Sequence, residues 1–347
     1  MNPYARAVII SGLTLGPMIT ISSNHWITAW SGLEISTLTM IPTIANKHHP
    51  RAVEASIKYF LTQTMASYLM LSATLTNAWH YGQWDIQLLT NHISCMTLTM
   101  AMSIKLAVAP FHFWFPEVLQ GATMLTALLL TTWQKLAPLT ILVQCSQNLN
   151  TTLLILLGVT SILIGGWGGL NQTQLRKIMA FSSIAHLGWM YTILTFSPKI
   201  TLLTFYLYVI MTTTTFLTIN ILQTSNMSTL MTSWTKTPFT NTMMLLNLMS
   251  LAGLPPLTGF TPKWLILQEL TKQHLTVIAT VMALTSLLSL YFYLRISYHT
   301  IVTLPPTTCN HHHQWRLNMT NFTPILATLT LLTTALLPLL PTMMTIP

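Results

Sequence analysis

Long apolar runs recur from one end of this chain to the other, and most are near the ~20 residues that a helix needs to cross a bilayer. Asp, Glu, Lys and Arg together make up only 5% of the 347 residues, where a soluble domain carries about 25%. More than half the residues are hydrophobic, and the mean hydropathy is +0.58. The pattern predicts an all-α polytopic membrane protein with no room for a soluble domain.

Hydropathy places about eleven spans along the sequence. They fall near 3–22, 25–45, 52–78, 87–120, 123–146, 150–170, 174–195, 199–224, 238–272, 274–298 and 323–345. The fourth and ninth are too long for one straight crossing, and both carry prolines in their middles. Pro110 and Pro116 in the fourth have the same spacing as Pro256 and Pro262 in the ninth. Proline removes a backbone donor and clashes with the preceding turn, so each pair predicts a helix break. Each broken span is fourth in a group of five. Five is odd, so the two groups start on opposite sides of the membrane, the pattern of an inverted repeat with discontinuous helices. The expected organisation is a first repeat over 1–148, a second over 149–300, and a loop with a C-terminal membrane helix over 301–347.

The formal charge of +9 reports topology, since the 14 Lys and Arg sit mostly at span ends. One side receives Arg6, Lys47, Arg51, Arg176, Lys177, Lys236, Arg295 and Arg316; the other receives Lys199 and Lys272. By the positive-inside rule the N-terminus is expected inside and the C-terminus outside. No basic cluster is interleaved with aromatics, so nucleic acid is not an expected partner. No transit or signal peptide is visible after Met1-Asn2-Pro3, which fits synthesis beside the target membrane.

Four charges lie deep inside the apolar runs: Glu34, Lys105, Lys135 and Lys263. A membrane protein keeps such charges mainly where they work. Lys135 lies about 15 Å from either end of the run 124–144, near the bilayer midplane. Burial pushes a lysine toward its neutral form and a nearby carboxylate restores the charge, so lysines held between the two influences can take up and release protons. Glu34 is the only carboxylate so deep in the first half, and Lys105 is its expected partner. The bland alternative is a set of buried structural ion pairs. Lys263 follows a break and has Glu269 within two turns, which favours the structural reading there more than elsewhere. Glu54 and Lys58 have helix-stabilising spacing near a membrane face and read as an interfacial salt bridge, with Lys58 as an optional extension of an entry path. His112 in the fourth-span break and His186 in mid-span could relay protons, or could equally be packing residues.

Several chemistries lack support. Cys95, Cys145 and Cys309 form no CxxC pair, so neither an iron–sulfur cluster nor a disulfide framework is expected. The loop histidines His48-His49 and His311-His312-His313 have no acidic or cysteine companions, so no metal site is expected. Gly165-Gly166-Trp167-Gly168-Gly169 ends a span and reads as close helix packing or a turn, not as a nucleotide loop. Haem has only His112 and His186 as ligands at depth.

The stretch Trp30-Ser31-Gly32-Leu33-Glu34, the run 49–60, the run 105–120 and Thr132-Trp133-Gln134-Lys135-Leu136-Ala137-Pro138 closely resemble the antiporter-like membrane subunits of mitochondrial respiratory complex I, along essentially the full length. The resemblance implies a proton-translocating subunit of the mitochondrial inner membrane. It would move protons from matrix to intermembrane space, driven by NADH:ubiquinone oxidoreduction in other subunits. It implies that Glu34 and Lys105 form the family's glutamate–lysine pair, that Lys135 is the central connecting lysine, and that Lys263 is the lysine of the second broken helix. It implies no cofactor in this chain, with NAD, FMN, iron–sulfur clusters and ubiquinone held elsewhere. The implied partners are other complex I membrane subunits, neighbouring antiporter-like subunits included, and the lipid bilayer. Eleven spans starting inside look like the family core without its first three helices. The rivals are a stand-alone cation/proton antiporter, a structural scaffold of a membrane complex and, disfavoured, a haem-bearing electron carrier.

Overall fold

The computed structural model describes residues 3–46, 49–234, 237–301 and 323–337. Lys47, His48, Lys236, Cys309, the triple histidine at 311–313 and Arg316 lie outside the described residues. Those described form helices α1 (Pro3–Ser22), α2 (Trp26–Ile44), α3 (Pro50–Tyr81), α4 (His92–Leu106), α5 (Trp114–Gly121), α6 (Met124–Thr131), α7 (Trp133–Gln144) and α8 (Thr151–Gly169). They continue with α9 (Leu175–Ile193), α10 (Pro198–Leu222), α11 (Met227–Ser233), α12 (Pro238–Ala252), α13 (Phe260–Lys272), α14 (Thr276–Ile301) and α15 (Thr323–Ala335). The fold is all-α, as the apolar runs predict. Isolated bridges at His25–Asp85 and Gln174–Asn226 are the extended pairings among the described residues. Two compact units form: residues 1–161 with 190–198, and 162–189 with 199–347.

Both long spans are broken, and the breaks match residue for residue. α4 and α12 are each 15 residues long. Each stops at a left-handed residue, Ala107 (φ 59°) and Gly253 (φ 81°). In both, the next amide reaches back over the helix end, Val108 to the Ser103 carbonyl at 2.9 Å and Leu254 to that of Met249 at 3.4 Å. That is the closing bond of a Schellman cap. A second turn follows, Phe111 to Val108 and Leu257 to Leu254, both at 2.9 Å. The chain resumes helix at Trp114 and Phe260, so Pro116 and Pro262 fall in first turns, where a missing N–H costs nothing. In this register Pro110 overlays Pro256, but Lys105 overlays a leucine and Glu117 overlays Lys263.

In the first unit α1 and α2 approach through glycine. A Cβ on Gly16 would stand 2.9 Å from the Gly32 carbonyl oxygen, and one on Gly32 would stand 2.8 Å from that of Gly16. Small residues allow this approach, and dispersion rewards it in a setting where lipid is as apolar as the partner helix. Pro17 inside α1 cannot donate to the Leu13 carbonyl one turn earlier. The indole Nε1 of Trp133, on α7, donates to that oxygen at 2.7 Å instead.

The apolar run Met124–Gln144 is not one regular helix. It is interrupted at Thr132, between α6 and α7. The hydroxyls of Thr131 and Thr132 both donate to the Leu128 carbonyl, at 3.0 and 2.8 Å. Pro138 removes the next turn's bond to Gln134. The single span expected from hydropathy is therefore interrupted one turn before Lys135.

In the second unit the glycine-rich end of α8 packs helices, as its composition suggests. Gly165 lies against the backbone of Phe181 and Ala185 on α9, and Gly169 lies against the ring of Phe292 on α14. Arg295 then donates to the Leu170 carbonyl just beyond the end of α8, at 2.5 Å. α15 covers the second break: Thr258 donates to the Thr333 carbonyl, and the Thr333 hydroxyl donates to Asn247, both at 2.6 Å.

Replacing Gly32 by valine should force α1 off α2, because besides the Thr20 methyl the new side chain would meet backbone atoms, the Gly16 carbonyl oxygen and the Thr20 amide nitrogen. Limited proteolysis and thermal unfolding of the membrane-embedded protein should show α1 released and the melting temperature lowered. Trp133→Phe keeps the ring but strands the Leu13 carbonyl, and should destabilise by about 1–3 kcal/mol in an equilibrium unfolding measurement.

Candidate functional site

The first broken helix brings its two halves to one small cavity. Lys105 ends α4 and is buried, at 6% exposure; Lys135 begins α7 and is buried, at 3%. Both line a cavity of about 20 Å³, with Ser36 and Thr37 from α2, Tyr59 and Gln63 from α3, Phe115 from α5 and Gln134 beside Lys135. That volume suffices for about one water molecule, and the polar lining supplies its partners. Lys135 Nζ stands 5.0 Å from the centroid of the Phe115 ring, within cation–π range. The Lys105 ammonium has no hydrogen-bond partner among the described residues, but it belongs to the last turn of α4, where the helix dipole is negative.

Glu34 lies mid-helix on α2 and is half-buried. It does not form the expected salt bridge: no nitrogen of Lys105 comes within 4.0 Å of its carboxylate. Its helix neighbours Leu33, Ser36 and Thr37 line the cavity that Lys105 and Tyr59 also line, which places Glu34 beside it. Thr37 approaches Oε2 at 3.5 Å, and Oε1 is buried without a hydrogen-bond partner. Glu34 and Lys105 are therefore neighbours held apart. α3 supplies Tyr59 to the same cavity and touches both α2 and α4.

Lys58 pairs with Glu54 at 2.5 Å, as its spacing predicts, and also with Glu117 at 2.6 Å. Glu117 ties the second half of the broken helix to α3. His112 lies in the break, buried, with its ring tilted 34° to that of Phe113 at 4.3 Å.

In the second unit Lys263 stands in the first turn of α13 and is half-buried. Its Nζ donates to the carbonyl of Ala252, the last residue of α12, at 2.7 Å. Glu269 is not its partner, because Glu269 pairs with Lys272 at 2.6 Å. The left-handed Gly253 leaves the space that Lys263 crosses: a Cβ there would stand 3.0 Å from its Nζ. His186 on α9 lies 5.5 Å from the ring of Tyr208, which shares a hydrogen bond with Ser183. Sequence reasoning placed the charges and missed Tyr59, Gln63, Phe115 and Gln134. Tyr59 and Gln63 are one turn apart on α3, so a polar pair facing inward from a membrane helix was the available signal. Among the described residues no group of three His, Cys, Asp or Glu could hold a metal ion.

A helical membrane protein with two matched broken helices, each with a lysine at the break, has the construction of an antiporter-like proton or cation carrier. The family model described as NADH:quinone oxidoreductase/Mrp antiporter, TM matches residues 23–289, and that described as NADH dehydrogenase subunit 2 C-terminus matches 290–344. The chain belongs to this family. It is 79% identical to NADH-ubiquinone oxidoreductase chain 2 of Pelomedusa subrufa over 347 residues, 100% of both chains. It is 60% identical to the protein of the same name from Gallus gallus, over 99% of each chain. The fold is similar to a chain of respiratory complex I from Thermus thermophilus with bound aureothin. The TM-score is 0.85 at 24% identity, over 99% of this chain and 79% of that one. It is also similar to a chain of the Mrp complex from a Dietzia species, with TM-score 0.80 at 15% identity, over 99% of this chain and 76% of that one.

Gly253→Ala should displace the Lys263 ammonium from the Ala252 carbonyl, since the new methyl occupies the path of the side chain. NADH-driven proton pumping by the intact assembly should fall, and a density map should show the Lys263 side chain rebuilt.

Proposed function

We propose that this chain is a proton-translocating membrane subunit of respiratory complex I. It sits in the mitochondrial inner membrane with its N-terminus on the matrix side and its C-terminus on the intermembrane-space side. It moves protons from matrix to intermembrane space, and the energy comes from NADH:ubiquinone oxidoreduction in other subunits, which hold NAD, FMN, the iron–sulfur clusters and ubiquinone. Its partners are the other membrane subunits of the complex, neighbouring antiporter-like ones included, and lipid.

The observation that supports this reading best is the cavity shared by Lys105 and Lys135. Two buried ammonium groups around one water-sized space repel each other, so the pair favours holding fewer than two protons. The Glu34 charge supports a proton on Lys105. When Glu34 is neutralised or moves away, Lys105 loses that support and releases its proton into the cavity. Tyr59, Gln63 and Gln134 orient water there, and Lys135 takes up the proton over the face of Phe115. Lys263, at the matching break of the second unit, carries a further exchange, with His112 and His186 as auxiliary relays. Moving one charge across 100 mV requires about 2.3 kcal/mol. One pKa unit is worth about 1.4 kcal/mol, so shifts of a few units at coupled lysines are large enough.

Lys135→Met in the intact complex should abolish or sharply reduce NADH-driven vesicle acidification while assembly stays normal. Unchanged proton yield per NADH would remove Lys135 from the path. The antiporter reading predicts instead that liposomes holding this chain alone exchange Na⁺ or K⁺ for protons.

A further inference from the structure

The C-terminal ends of α1 and α7 meet the loop between α3 and α4 around a cavity of about 400 Å³, a size that suits a small ligand group. Its polar lining is Ser23 and Asn24 just past α1, Asp85 and Gln87 from the loop, and Gln144, the last residue of α7. No Lys, Arg or His lines it. The walls are fastened to one another. The Trp26 amide bonds the Trp84 carbonyl and the Ile86 amide bonds the Asn24 carbonyl, both at 3.1 Å. The Asn148 side chain donates to the Gln87 carbonyl at 2.6 Å.

This lining has spent donors and kept acceptors. The Ser23 hydroxyl donates to the Thr20 carbonyl at 2.8 Å, and the Gln144 amide donates to that of Ile21 at 3.4 Å. The Gln144 Oε1 is left buried with no hydrogen-bond partner among the described residues, a state that protein interiors rarely leave unanswered. Asp85, the chain's one aspartate, forms no ion pair among the described residues. A carboxylate only accepts, and both helices present the negative ends of their dipoles here. His25, beside the cavity, brings no charge of its own in this arrangement: its Nδ1 accepts the Ile27 amide at 3.3 Å, which an imidazolium nitrogen cannot do. The vacancy in hydrogen bonding is therefore that of a compact cation with several donors. A primary ammonium carries three donors on one charge. A quaternary ammonium carries none and is held by aromatic faces, and no aromatic residue lines the cavity.

We propose that this cavity binds a primary ammonium group, carried by the ethanolamine headgroup of a phospholipid. The ammonium sits between the Asp85 carboxylate and the Gln144 Oε1. The phosphate, two carbons away, stays at the rim, where the exposed side-chain amides of Asn24 and Gln87 can donate to it. Two features favour a lipid over a soluble amine. Trp79 and Tyr81, exposed at the end of α3, are the residue types that stand at headgroup level. Leu15, Met18 and Ile21, exposed on α1, lead up to the cavity and give an acyl chain an apolar path. In the orientation proposed above, the lipid belongs to the intermembrane-space leaflet. The site holds whether or not Glu34 and the lysines carry protons.

Photolabelling of the intact complex in phosphatidylcholine nanodiscs tests the site. The probe is phosphatidylethanolamine with a diazirine on its acyl chain, so that the ammonium stays free. It should label the end of α1 or residues 82–88, and unlabelled phosphatidylethanolamine should compete. Asp85→Asn keeps the shape of an exposed side chain and removes its charge. It should lower labelling there at least about fivefold, since hydrogen bonds to an ionised group are the stronger kind. Labelling elsewhere on the same complex serves as the control for assembly. Equal labelling by the matching phosphatidylcholine probe, or labelling unchanged by Asp85→Asn, would overturn the proposal. Displacement by free ethanolamine at the concentration of the competing lipid would uphold the ammonium site and assign it to soluble amines. A density map showing a lysine of a neighbouring subunit against Asp85 would overturn it in favour of a protein contact.

Discussion

A half-helix that ends inside a membrane presents a cluster of unpaired carbonyls and the negative end of its dipole to an apolar surrounding. Both breaks in this chain create that end, at Leu106 and at Ala252, and much of the site is arranged to answer it. In each unit an ammonium belongs to the answer, but the two come from different places. Lys105 belongs to the closing turn of α4 itself, whereas Lys263 belongs to the following helix and reaches back to the Ala252 carbonyl. Laid over one another the two lysines do not coincide, yet both serve the C-terminal end of the first half-helix. The electrostatic demand of the break is thus the shared element, and the residue that meets it is free to move along the sequence.

The same bookkeeping of stranded carbonyls explains several aromatic residues. Pro17 strands the oxygen of Leu13, and Trp133 serves it; at the end of α4 the Ile104 oxygen accepts the Ala107 amide and, as a second donor, Trp114. These indoles do more than fill space. Trp133 ties α7 to α1 two residues before Lys135, and Trp114 fixes the first turn of α5 next to Phe115, over which Lys135 sits. Lys105 and Lys135 therefore stand on elements whose relative placement is set by buried hydrogen bonds, each worth more in lipid than at a wet surface because no solvent can replace it.

Glu34 stands beside the cavity that Lys105 lines and makes no ion pair with it. A direct buried pair would be hard to separate and would hold its proton inventory fixed. A carboxylate acting from beyond contact distance leaves the lysine sensitive to small displacements or to neutralisation. By contrast Lys58, at a membrane face, is locked between Glu54 and Glu117, and Lys272 is locked to Glu269. The contacts thus separate charges locked in ion pairs, Lys58 and Lys272, from Glu34 and Lys105 at depth, which form no ion pair with each other.

The all-helical membrane class follows from apolar run lengths alone, because bilayer thickness sets a length that any sequence can be measured against. The two breaks followed from equal proline spacing, since proline acts through its own backbone. Deep charges could be located too, as their cost depends only on depth. Partners could not be read in this way: elimination matches Glu34 to Lys105, and that ion pair does not form, while Glu269, within two turns of Lys263, pairs with Lys272. The cavity between Lys105 and Lys135 and the contributions of Tyr59, Gln63, Phe115 and Gln134 arise where separate helices meet. Helix periodicity fixes which face a residue occupies on its own helix, but only the packing of helices against one another decides what that face meets.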